Sequence, residues 1–173
     1  METIEAIFSR RSIRKYDIDK KVSDEAVNLL LKAAMQAPSA MNKQPWHFIV
    51  IKNREIIKHI PSFHAYASML KYAPLVIAVC GDIEESPNFW DQDCSAATEN
   101  ILLAAHALGL GAVWLGTYPV DDRVTGVRNL LDIPDNIMPL SLISIGHPLE
   151  PKPVSYTHLR AHETVLDLVC RLL

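Results

Sequence analysis

Pro38 and Pro45 limit the fold more than any other pair of residues in this chain. Pro38 ends whatever helix precedes it, because a proline disfavours helical backbone at itself and at the residue before it. Pro45 introduces an aromatic and β-branched run, Trp46 to Ile51, that reads as a buried strand. Between the prolines, Ser39, Ala40, Asn42 and Gln44 make a stiff connection whose polar groups are set in advance. By itself this segment has two readings. It is a helix-to-strand turn in which Ser39 and Asn42 bond their own backbone, or a loop that hydrogen-bonds an uncharged, planar, polar ring.

The remaining elements follow from periodicity and stop signals. Thr3 caps a short helix to about Arg10, with Ile4, Ile7 and Phe8 on one face. Ser23 to Gln36 is a second helix with Asp24 and Glu25 in its first turn and Val27, Leu30, Leu31 and Ala34 as its buried stripe. Arg54 to His59 and Tyr66 to Tyr72 are short helices divided by Pro61. Leu75 to Cys80 is a buried strand. Asp93 to Leu108 is the strongest helix, with Ala97, Ile101, Ala104, Ala105 and Leu108 on one face and Gly109 as its stop. Ala112 to Leu115 and Leu140 to Ile145 are two further strands around a helix at Asp121 to Leu131. Helices alternating with short buried strands imply helix layers on a mixed sheet within one domain of 173 residues.

Composition excludes several classes of function. The net charge of −3 argues against nucleic-acid binding. No apolar run reaches the roughly 18 residues of a membrane span, and Glu2 and Glu5 stand where a signal peptide is basic, so a cytoplasmic protein is expected. Cys80, Cys94 and Cys170 are odd in number and widely spaced, without a disulfide or paired metal motif; Cys80 and Cys94 read as core. His158 and His162 have zinc-like spacing but lack a third ligand, and such pairs are mostly chance. Asp91, Asp93 and Glu99 read as helix-end or surface groups, and no Ser-His-Asp or Cys-His arrangement is evident. Gly109-Leu110-Gly111-Ala112-Val113-Trp114 fails the dinucleotide fingerprint, with Trp114 where the third glycine belongs and a helix where a strand must precede.

A second feature is the basic run Arg10-Arg11-Ser12-Ile13-Arg14. Alternation in an extended segment puts Arg10, Ser12 and Arg14 on one side, where guanidinium groups and a hydroxyl suit a phosphate. The competing reading is a solvated cationic run after a helix, which also suits the negative end of the helix dipole.

This Arg-x-Ser-x-Arg pattern, together with Pro38-Ser39-Ala40-Met41-Asn42-Lys43-Gln44-Pro45-Trp46, resembles the nitroreductase family over about residues 3–153. The resemblance implies an α+β fold, a three-layer α-β-α sandwich on a mixed, mainly antiparallel sheet, formed by a homodimer with intertwined subunits. It implies FMN bound between the subunits, NADH or NADPH as co-substrate, and a small electron acceptor such as a nitroaromatic or quinone. On this basis Arg10, Arg11, Ser12 and Arg14 hold the phosphate end. Pro38, Ser39, Ala40, Asn42 and Gln44 reach the flavin bound mainly by the other subunit, while Leu115, Gly116 and Thr117 pass close to its ring. No residue is expected as an acid-base catalyst, since the cofactor carries the redox chemistry. Phe63, Tyr66, Met69, Leu70 and Trp90 read first as core and second as candidates for the acceptor pocket. One alternative keeps the fold and changes the reaction, to a dehalogenase or flavin-modifying enzyme; another, of a different functional class, is a flavin-binding or interaction protein without turnover, or a truncated chain with no stable flavin.

The resemblance stops after Pro153. The family pattern calls there for a lysine or arginine on the phosphate and a segment laid on the partner, whereas residues 154–173 read as an atypical, non-native tail. A real amphipathic helix over Val165 to Leu173 is the alternative, and Arg160 is a substitute for the missing cation.

Overall fold

The computed structural model describes residues 1–149. In chain order they form α1 (Thr3–Ser9), α2 (Asp24–Ala34), β1 (Trp46–Ile51), α3 (Arg54–His59), β2 (Leu75–Asp82), α4 (Trp90–Ala107), β3 (Gly111–Gly116), α5 (Asp121–Leu131) and β4 (Ile137–Gly146). Short 3-10 turns occupy Ala40–Asn42, Ile60–Ser62 and Ser68–Tyr72. The strands lie in the order β1-β2-β4-β3, with every neighbouring pair antiparallel. Among the described residues the parallel pairing is an isolated bridge between Ser12 and Ala112.

Helices cover both faces of this sheet, which is why its central strands are apolar without alternation. On one face Leu75, Ile77, Val79, Ile143 and Ile145 pack with Val27 and Leu30 of α2 and Cys94, Ala97 and Ile101 of α4. On the other, Val76, Ala78, Cys80 and Leu142 pack with Ile57 of α3, Leu70 and Val127 of α5. Two cores therefore share β2 and β4 as a common wall, and the three-layer α+β sandwich implied by the resemblance is present. Cys80 and Cys94 are buried in opposite cores, and burial pushes both thiols up, Cys80 to about 12.

Local signals placed most boundaries. Ser23 caps α2 by accepting a hydrogen bond from the Ala26 amide, and Asn53 does the same for the Glu55 amide at α3. Helix α4 starts at Trp90, earlier than expected, with Asp91 and Asp93 in its first turn. Strand β4 starts at Ile137, before the expected Leu140, and contains Pro139. A bulge opposite Val79 and Cys80 makes this possible: Val79 pairs with Ser141 and Cys80 with Pro139, leaving Leu140 as the extra residue.

The apolar face expected on α1 is not buried within one chain. Ala6 is buried, whereas Ile4, Ile7 and Phe8 are exposed, Phe8 at 63%. The helix is tied instead to α4 by Ser9, whose hydroxyl donates to the Glu5 carbonyl and accepts from His106 Nε2 at 2.7 Å.

Candidate functional site

The basic run leaves α1 in extended backbone and runs beside the start of β3, where the Ile13 amide donates to the Ala112 carbonyl at 2.9 Å. Gly111 permits this, since a Cβ there would lie 2.6 Å from Ile13 Cγ2. With Ile13 turned inward, alternation turns Ser12 and Arg14 to the other side. Arg10 Nε forms an ion pair with Glu99 at 3.5 Å. Arg11 folds back and donates to the carbonyls of Phe8 and Arg10, while Arg14 is exposed. Tyr16 anchors the far end by donating to the Ile13 and Ser144 carbonyls, and burial raises its phenol.

The connection from Pro38 to Pro45 contains three non-glycine residues in left-handed backbone: Met41 (φ 51°), Asn42 (φ 55°) and Gln44 (φ 50°). Asn tolerates that region, but for Met41 and Gln44 the cost is about 1 to 2 kcal/mol each, so the surrounding contacts must hold the loop. The Ser39 hydroxyl accepts from the Gln44 amide at 3.0 Å, which realises the turn reading for Ser39 and leaves its O–H proton for another acceptor. Asp93 Oδ1 accepts from the Ala40 amide at 2.9 Å, and Lys43 meets Glu85 at 3.0 Å. Asn42 and Gln44 side chains remain exposed.

At the end of β3, Thr117 and Tyr118 amides both donate to the Leu140 carbonyl, the one that the bulge frees. Gly116 carries its carbonyl toward His64 Nε2 at 3.0 Å and Arg123 Nη1 at 2.9 Å. A side chain added at Gly116 would meet no atom within 4 Å, so the backbone there faces open space. Beside it the buried Thr117 hydroxyl has no hydrogen-bond partner, and Tyr118 stacks edge-on with Trp90 at 4.9 Å.

These three groups do not converge within one protomer. The Ser39–Gln44 loop and Gly116 sit at the same end of the sheet but on its opposite edges, β1 and β3, three strand spacings or on the order of 14 Å apart. The basic run lies at the other end of β3. Arg14 borders a groove of about 670 Å³ that Tyr16, Met69, Lys71, Tyr72 and Leu149 also line. Of the acceptor-pocket candidates, Leu70 and Trp90 are core and Tyr66 is 71% exposed. His47 is exposed, and His158, His162 and Arg160 lie outside the described residues.

Asp93 stands at a helix end, one of its two expected placements, but is buried there and not at the surface. The signal was present: Trp90, Asp93, Cys94, Ala97 and Ile101 share one helical face, and a carboxylate on a buried stripe needs donors. His64 and Arg123 carried no comparable signal, because their shared partner is a backbone carbonyl, which no side-chain pattern marks.

The donor set suits a flavin mononucleotide: guanidinium groups and a hydroxyl for a phosphate, and open backbone for a flat ring. The nitroreductase family model matches residues 7–72 and 63–147. A Methanothermobacter thermautotrophicus protein, provisionally named an NADH dehydrogenase/NAD(P)H nitroreductase, is 54% identical over 152 residues, covering 87% of this chain and 79% of its own length. A crystal structure from Parabacteroides distasonis with the same provisional name has a TM-score of 0.88 at 41% identity, covering 94% of this chain and 97% of its own. A Desulfovibrio desulfuricans structure, provisionally a nitroreductase and in complex with FMN, has a TM-score of 0.79 at 36% identity, covering 92% and 93%. With the matched segments running through both helical layers and every strand of the sheet, this chain belongs to the nitroreductase family.

Proposed function

We propose that this chain is an FMN-dependent oxidoreductase that draws on NADH or NADPH and reduces a small flat acceptor, such as a nitroaromatic or a quinone. The observation that carries the reading is the extended basic run held beside β3 by the Ser12–Ala112 pairing, in a fold shared with an FMN complex. Arg10, Arg11, Ser12 and Arg14 would hold the phosphate. The open backbone of Leu115, Gly116 and Thr117 would line the ring. The wide separation of the Ser39–Gln44 loop from that edge supports its service to the partner subunit's site in a homodimer, with residues 1–153 as the functional unit.

Bound FMN supplies the hydride-accepting and hydride-donating ring; the chain supplies orientation, charge and exclusion of water. The Arg14 charge offsets phosphate charge, the left-handed loop presents Asn42 and Gln44 without further ordering, and Trp90 with Tyr118 shields one end of β3.

The test is an anaerobic visible spectrum of the purified full chain with FMN, before and after addition of NADH or NADPH. A bound-flavin spectrum that bleaches with either nicotinamide is expected, and Arg14→Ala should weaken FMN retention by roughly tenfold, the loss of one charge-assisted hydrogen bond. A chain that retains no flavin overturns the assignment.

A further inference from the structure

The peptide joining Gly116 to Thr117 is held from both sides. Its carbonyl accepts from His64 Nε2 at 3.0 Å and from Arg123 Nη1 at 2.9 Å, so both lone pairs are engaged. Its N–H donates to the Leu140 carbonyl, which takes the Tyr118 amide as well. His64 comes from the segment between two 3-10 turns and Arg123 from the first turn of α5, so two separate elements meet at one oxygen. The Arg123 guanidinium also lies 5.4 Å from the centre of the Tyr66 ring, which fixes its direction.

His64 can serve here in one form. The carbonyl requires a proton on Nε2, and Nδ1 is buried with no partner, so a second proton there would have no acceptor. Desolvation lowers the imidazole below its ordinary range, and the Arg123 charge adds to this, consistent with a neutral ring. One donor is enough to cap a strand-end carbonyl. Two donors, one of them cationic, beside a glycine facing open space, polarise the peptide as well as anchor it.

We infer that His64 and Arg123 are positioning residues that hold the Gly116–Thr117 peptide in the orientation met by the flavin ring, Arg123 adding a positive charge behind it. The inference rests on the flavin-site reading given above. Neither residue touches the reacting atoms; both act through the Gly116 carbonyl.

The test compares FMN affinity, by fluorescence titration, and the midpoint potential of the bound flavin, by dye-coupled reductive titration, across the wild-type chain and four variants. Arg123→Met and His64→Leu should each weaken FMN roughly fivefold, about the net worth of one hydrogen bond that acts through the peptide and not on the flavin directly. Arg123→Met should also make the potential more negative, because a cation favours the reduced, anionic flavin. Arg123→Lys should restore the potential and His64→Gln most of the affinity. If His64→Leu does not fold, the half-exposed Arg123 pair decides the matter. Folded Arg123→Met protein with wild-type affinity and potential overturns the inference, even if it melts earlier, since a plain strand cap gives that result. If the wild-type chain binds no FMN, the flavin-site reading falls first and this inference with it.

Discussion

Asp93 joins three segments through one carboxylate: its own helix α4, the flavin-loop candidate through the Ala40 amide, and the turn before α4 through the Ser86 hydroxyl at 3.3 Å. Asp93→Ala leaves a buried hydroxyl and a strained loop without their acceptor. Thermal or urea unfolding should show a loss of about 2 kcal/mol, and FMN retention should fall with it. Asp93→Asn keeps one acceptor oxygen and should lose less. Histidine ionisation adds a pH effect. His64 and His106 are both held below their ordinary value of 6.5, chiefly by desolvation. The unfolded chain therefore takes up protons first as pH falls, so the stability from these neutral rings is complete above 6.5 and declines below it. Urea midpoints measured on both sides of 6.5 should show this decline, and His64→Gln should flatten it. Side chains whose turn role depends on residue type, such as Ser39, were legible in the sequence. Those whose role depends on a backbone carbonyl were not, because no spacing rule links His64 or Arg123 to Gly116.

Among helices and strands, periodicity located nearly every one, and the failures have local causes. The strand at Trp46–Ile51 and the helices at Arg54–His59 and Asp121–Leu131 match their expected limits because prolines, caps or polar turns bound them. Strand β4 was shortened in the sequence reading because Leu140 and Ser141 occupy one face around the bulge, which interrupts alternation, and Pro139 reads as a breaker. The region Ser68–Tyr72 is a 3-10 turn rather than a helix, too short for periodicity to distinguish. Central strands dominate stability here. Leu142 is fully buried in the wall shared by both cores, so Leu142→Ala should cost about 3 kcal/mol in denaturant unfolding. Ser23→Ala removes one cap hydrogen bond at a solvent-exposed helix start and should cost about 1 kcal/mol. A reversed ranking of these two variants would contradict the packing described.

For the assembled protein, α1 is the informative surface. Ile4, Ile7 and Phe8 are apolar, adjacent and exposed, an arrangement that the proposed homodimer would cover. Phe8→Glu should raise the dimer dissociation constant by tenfold or more, about 1.4 kcal/mol, as read by analytical ultracentrifugation. If the Ser39–Gln44 loop serves the partner's flavin, FMN occupancy should fall in parallel on dilution; FMN held equally well by monomer would place that loop outside the site. The proposed dimer rests on family resemblance, because an apolar helical face looks the same in sequence whether its own chain or another covers it. The bulge in β4 carries a last implication. Upstream of Leu140 the even-numbered residues look toward α4, and downstream the odd-numbered ones do, so the strand is written in two phases joined at a single residue. That same residue supplies the carbonyl that seats Thr117 and Tyr118. Deleting Leu140 would merge the two phases into one regular alternation and, in the same stroke, remove the carbonyl that seats Thr117 and Tyr118, so the length of β4 is fixed by the turn beside it and not by the pleat of the strand itself.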